Sequence, residues 1–142
     1  MIKRKGTAQW QGNLKDGKGN LQLGSGAFEG AYSFTSRFED GAGTNPEELI
    51  GAAHAGCFSM ALSNILSEAG FIPDKVATNA EVNLGKVDGN FKITRITLDT
   101  EVDVNDISEE EFLEYAKQAK DGCPVSQALK GVEIDLKATL TN

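Results

Sequence analysis

The first third of the chain alternates apolar and polar positions with a period of two. Ala8, Trp10, Gly12 and Leu14 fall on one face, Asp16-Gly17 marks a turn, and Leu21 and Leu23 resume the pattern. Tyr32, Phe34, Ser36 and Phe38 then alternate with Ser33, Thr35 and Arg37. Side chains two apart share one face of a strand, so the pattern predicts three antiparallel strands, with Arg37 opposite the aromatic face of the third. A loop, Gly41 to Thr44, leads to a helix start: Asn45 suits the N-cap, Pro46 the first helical position and Glu48 the third, where it can close a capping box. The helix should run to about Ala69, stopped by Gly70 with Pro73 beyond. It is apolar or small nearly all round, which predicts a buried helix.

Two strands follow, Val76 to Lys86 and Phe91 to Val104, joined by Asp88-Gly89. The apolar set changes phase between Ile93 and Ile96, predicting a bulge or twist near Thr94-Arg95. Ser108 with Glu111 forms a second capping box, opening a helix that ends near Asp121-Gly122. Pro124 opens a short helix that stops at Gly131, and Val132 to Leu140 return to a period of two. The order β-β-β-α-β-β-α-α-β defines an α+β fold class.

Length and charge narrow the function. One hundred and forty-two residues, 39% hydrophobic and 25% charged, make one globular domain able to bury a core without staples. Fourteen Lys and Arg against twenty-one Asp and Glu leave a net charge of −7. An acidic surface repels phosphate backbones and anionic lipid, so neither nucleic acid nor a membrane surface is an expected partner. The acid excess lies in the second half, and the run from Asp99 to Glu114, without a base, reads as a solvated face and a helix start. Leu49 to Ser67 carries no formal charge and raises a membrane span, but its centre, GAAHAGCFSM, is too small and polar to favour lipid. MIKRKGTAQW lacks the apolar h-region of a secretory signal. The expectation is a soluble, cytoplasmic protein.

Candidate chemistry rests on few residues. Cys57 and Cys123 are far apart in sequence, and one histidine cannot complete a zinc framework, so no metal is expected. Gly24-Ser-Gly26 and Gly41-Ala-Gly43 lack the lysine of a phosphate loop and the spacing of a dinucleotide site, so no cofactor is expected. Gly122-Cys123-Pro124 places one thiol at a helix N-terminus, where it is either a stabilised thiolate or a simple cap. Cys57, inside the apolar helix, reads locally as a small core residue. An ordinary thiol is only about 3% ionised at pH 7, so reactivity needs a cation nearby. His54 stands one turn before Cys57. A half-buried histidine bonded to backbone is the expectation, because a base and nucleophile rarely share one helical turn. The capping box occupies Glu48, which leaves Glu47 free to pair with an arginine such as Arg37.

TNPEELIGAAHAGCFSMALS, followed much later by KDGCPVSQAL, resembles the osmotically inducible protein C (OsmC) family, relatives of the organic hydroperoxide resistance proteins. The resemblance covers essentially the whole chain, residues 1–142, as a single OsmC-like domain. It implies a thiol-dependent peroxidase of oxidative and osmotic stress defence that reduces organic hydroperoxides, and hydrogen peroxide less well. Cys57 would be the peroxidatic cysteine, passing through a sulfenic acid, and Cys123 the resolving one that forms the Cys57–Cys123 disulfide. Arg37 and Glu47 would position and activate Cys57. An intertwined homodimer with active sites at the interface, and a dithiol reductant such as a lipoyl group, are implied too. Phe58, Met60 and the aromatics from Tyr32 to Phe38 would then line the site.

On a straight helix Glu47 and Cys57 stand roughly 15 Å apart along the axis. Either the helix breaks between Gly51 and Gly56, or Arg37 and Glu47 reach Cys57 from the partner chain; the second is the expectation. The alternative function is a hydrophobic-ligand-binding protein whose cysteines are not catalytic.

Overall fold

The computed structural model describes all 142 residues. They form two compact units, residues 1–49 and 50–142.

In the first unit β1 (Gly6–Gln11), β2 (Lys18–Leu23) and β3 (Glu29–Tyr32) form an antiparallel meander. Trp10 and Tyr32 both pair with Gly19 in register, one from each side. A Cβ on Gly19 would stand 2.4 Å from the Tyr32 ring and 2.6 Å from Trp10, so only glycine lets the two rings meet across it, 5.3 Å apart. Every residue buried in this unit is polar: Ser36, Thr44 and Glu47.

The third strand ends earlier than its alternation implies. Residues 34–38 form a short helix, α1 (Phe34–Phe38), not a strand, so Arg37 sits in a helical last turn. The reason is local. Ser33 Oγ accepts from the Ser36 N–H at 3.1 Å and Ser36 Oγ accepts from the Ser33 N–H at 2.8 Å, a reciprocal capping box. Helical spacing then brings Phe34 against Phe38, with centroids 5.0 Å apart. A five-residue run with apolar residues at both ends satisfies either period.

Helix α2 (Pro46–Glu68) is unbroken and carries the chain into the second unit. Asn45 Oδ1 accepts from the Glu48 N–H at 2.8 Å, as expected, but the Glu48 carboxylate accepts from Thr44 Oγ1 at 2.6 Å. Length and composition alone would let this helix cross a membrane. Its buried stripe, His54, Phe58, Leu62 and Leu66, instead faces a protein core. The burial is one-sided rather than all round: Ala52, Ala53 and Gly56 are exposed, and Met60 is 78% exposed.

The rest of the second unit is a sheet of order β4-β5-β6, made by β4 (Lys75–Val87), β5 (Asn90–Asp103) and β6 (Glu133–Leu140). Asp88 and Gly89 both adopt positive φ, 52° and 82°, the turn that matches strand twist. The expected bulge is present: Asn83 pairs with Arg95 and Leu84 with Ile93, leaving Thr94 extra. It moves Ile96, Leu98 and Val102 onto the core face. β6 runs parallel to β5, so the chain must cross over, and α3 (Glu109–Gly122) and α4 (Pro124–Ala128) make that crossing. Phe112, Ala116 and Ala119 of α3 complete the core. Ser59 Oγ donates to Thr78 Oγ1 at 2.7 Å, and Thr78 meets buried Thr100 at 2.9 Å, tying α2 to the sheet.

Candidate active site

Cys123 lies at the corner between α3 and α4. Its N–H donates to the Ala119 carbonyl at 3.0 Å, ending α3, and its sulfur accepts from the Ser126 N–H at 3.4 Å, starting α4. Pro124 follows because its missing N–H costs nothing at the first helical position. The thiol is buried and donates to Ser126 Oγ at 3.1 Å. Its sulfur caps α4, at the helix N-terminus that the Gly122-Cys123-Pro124 spacing predicts.

Cys57 is half-buried on α2, beside the residues of that corner. Burial pushes its thiol up from the ordinary range; the Val125 backbone N–H pulls it down, and the neighbouring Cys123 thiol raises it again. The two thiols are therefore within reach of each other, both reduced. Within residues 50–142 none of these influences is a cation.

His54 departs from its expectation. It is fully buried, and its Nε2 lies 2.7 Å from Ser126 Oγ, a side chain rather than backbone. Its Nδ1 is buried and has no hydrogen-bond partner. Burial lowers its pKa below the usual value of 6.5. The unfolded chain takes up a proton near pH 6.5 that the native ring takes up only at lower pH. This contribution to stability is complete above pH 6.5 and is lost as pH falls through the folded value, with a slope of at most about 1.4 kcal/mol per pH unit. Denaturant titrations between pH 7.5 and 5.5 should show this slope in the wild type and its loss in His54→Gln.

Ser126 was not singled out from sequence. A signal existed: it stands three residues after Cys123, the spacing that joins an N-cap to the third helical residue. Phe58, expected to line the site, is fully buried in the core instead, because it falls on the same stripe as His54, Leu62 and Leu66.

In the first unit Arg37 and Glu47 form a two-pronged pair. Nε donates to Oε1 at 3.0 Å and Nη2 to Oε2 at 2.9 Å. Glu47 is nearly buried, while the Arg37 side chain is 35% exposed. The guanidinium also lies 5.3 Å from the Phe38 ring centroid. Trp10, Leu14, Tyr32, Phe34 and Phe38 join it around a cavity of about 210 Å³. A fixed cation in an aromatic wall suits an apolar molecule with one polar, anion-developing end.

Two adjacent reduced thiols on an α+β framework are the arrangement that thiol–disulfide chemistry requires. The family described as OsmC-like protein matches residues 39–137, and the chain belongs to it. It is 54% identical over 130 residues to peroxiredoxin OsmC of Escherichia coli (strain K12), covering 91% of each chain. It is 34% identical over 99 residues to the organic hydroperoxide resistance protein OhrB of Bacillus subtilis (strain 168), covering 69% of this chain and 70% of the relative. The crystal structure of an OsmC-like protein from Mycoplasma pneumoniae superimposes with a TM-score of 0.73 at 21% identity, covering 99% of both chains.

Proposed function

We propose that this chain is a thiol peroxidase that reduces organic hydroperoxides, and hydrogen peroxide less well, in oxidative and osmotic stress defence. The observation that carries the reading is the adjacency of Cys57 and Cys123 in a chain 54% identical to a protein named peroxiredoxin. Cys57 thiolate attacks the distal peroxide oxygen; the O–O bond breaks, leaving Cys57 sulfenic acid and an alkoxide that takes a proton to become the alcohol. Cys123 then forms the S–S bond with Cys57, and the sulfenic oxygen leaves as water. A dithiol, such as a lipoyl group, returns both thiols by exchange.

Arg37 supplies the cation that Cys57 needs. It favours the thiolate and stabilises the departing alkoxide, while Glu47 fixes the guanidinium plane. The pair acts on Cys57 of a second copy in an intertwined homodimer, with an active site at each side of the interface. Two features support this. The unbroken α2 leaves no helix break to bring Glu47 towards Cys57 within one chain. The exposed, small-residue face of α2 and a first unit that buries no apolar side chain both call for cover. The division between the units falls inside that helix, which favours one functional domain, residues 1–142. Two free cysteines fit the reducing cytoplasm.

The cavity beside Arg37 gives the substrate order, since its aromatic wall offers an alkyl or aryl group burial that hydrogen peroxide cannot use. With dihydrolipoamide as reductant, cumene hydroperoxide should be consumed at least about tenfold faster per unit concentration than hydrogen peroxide. Equal rates, or no consumption of either, would refute this reading.

A further inference from the structure

The polar chain behind Cys123 has no part in the scheme above, although it is buried and continuous. Cys123 Sγ, Ser126 Oγ and His54 Nε2 follow one another at 3.1 and 2.7 Å, joining α2 to the α3–α4 corner inside the core. Ser126 Oγ accepts from the Cys123 thiol, and its own buried hydroxyl proton needs an acceptor; His54 Nε2, 2.7 Å away, takes it in this relay order. Nε2 is then an acceptor, and the neutral ring carries its own proton on Nδ1. That leaves a buried N–H without a partner. Such an exception needs a reason, because a ring used only for packing would be replaced by an apolar one without that cost.

We infer that His54, acting through Ser126, is the proton acceptor for the resolving cysteine, Cys123. The inference rests on the two-cysteine peroxidase reading and adds a positioning and relay residue to its second half. As Cys123 turns to the Cys57 sulfenic acid, its S–H proton passes to Ser126 Oγ while the serine proton passes to His54 Nε2. The thiolate, now accepting from both the hydroxyl and the N–H of Ser126, uses its electron pair to form the S–S bond. The S–O bond of Cys57 breaks, and the departing hydroxide takes up one proton to become water. The imidazolium gives up one proton and is neutral again. The sum is sulfenic acid plus thiol to disulfide plus water.

In this arrangement the Cys123 thiol is engaged as a donor to Ser126 inside the core, while Cys57 stands half-exposed on α2. Burial keeps His54 neutral at pH 7, so it can accept, and no charged group contributes to that shift. Cys57 and Cys123 are the titratable groups this chain of contacts reaches.

The test separates the two chemical steps. Reduced wild type, His54→Gln, Ser126→Ala and the double variant are mixed with cumene hydroperoxide, quenched at intervals with a sulfenic-acid trap and read by mass spectrometry. Thermal melts of the reduced proteins establish that each is folded. His54→Gln retains an acceptor for the Ser126 hydroxyl but cannot take the proton. In each single variant, disulfide formation should slow by about tenfold or more relative to sulfenic acid formation. The double variant should be no slower than the worse single one, as expected of residues acting in series. Raising the pH should restore the rate, because hydroxide then takes the Cys123 proton directly. Folded variants that condense at the wild-type rate, or whose effects simply add, would overturn the inference alone. A wild type that forms neither sulfenic acid nor disulfide would overturn the peroxidase reading with it.

Discussion

Reduced wild-type protein mixed with about one equivalent of cumene hydroperoxide should lose both thiols, whereas Cys57→Ser should keep its remaining Cys123 thiol. Cys123→Ser should lose one thiol and accumulate a trappable sulfenic acid. The asymmetry follows from the surroundings of the two sulfurs. Cys123 is almost fully buried, caps α4 and donates its proton into the core. Cys57 is half-exposed on α2. Burial pushes its thiol up and the Val125 backbone N–H only partly offsets this, so its reactivity rests on its exposure and on the proposed Arg37 cation. Removing the attacking atom should lower peroxide consumption by about a thousandfold or more. Removing Cys123 should spare the first step and stop turnover at the sulfenic acid, which excess peroxide then carries to the irreversible sulfinic acid. If Cys57→Ser reacts and Cys123→Ser does not, the chemistry stands with the roles reversed. If neither thiol of the wild type reacts, the ligand-binding alternative takes its place.

The second large effect should come from Arg37→Gln. Burial pushes the Cys57 thiol up, so without a cation little thiolate exists at neutral pH. An opposite charge within a few ångströms can lower such a pKa by about 1–3 units, and a donor aimed at a developing oxyanion contributes a further factor of about 10²–10³. Peroxide consumption by Arg37→Gln should therefore fall by at least about 10²-fold, with the Cys57 pKa measured by alkylation rate rising. Arg37→Lys should recover only part, since a lysine keeps the charge but not the two-pronged grip on Glu47.

Co-expressing Arg37→Gln with Cys57→Ser tests where the arginine acts. If it reaches across the dimer, each mixed dimer has one intact site, and random assortment should return about a quarter of wild-type activity. If it acts within its own chain, the mixture should be as inactive as either parent.

Much of the fold was legible because its signals are local. Asp88-Gly89 named its hairpin, Asn45-Pro46 and Ser108 their helix starts, and the phase change around Thr94 its bulge. Each depends on backbone chemistry within a few residues. Residues 34–38 were misread for the same reason turned around. Their alternation suits a strand, but a serine capping box three residues wide outweighed a pattern too short to fix a period. The pairing of Glu47 rather than Glu48 with Arg37 was also legible, although the Glu48 carboxylate is held by Thr44 Oγ1 and not by the expected capping box.

By itself the sequence determined the α+β order, the cysteine motifs and the acid–base pair, because helix caps, hairpin turns and a long motif are written in neighbouring residues. It left His54 as an unremarkable histidine and Ser126 unnoticed. Only the tertiary structure brought them to 2.7 Å, because packing the α3–α4 corner onto α2 joins positions 72 residues apart. It also decided that Phe58 belongs to the core and Met60 to an open face, since burial along an apolar helix depends on what packs against each side.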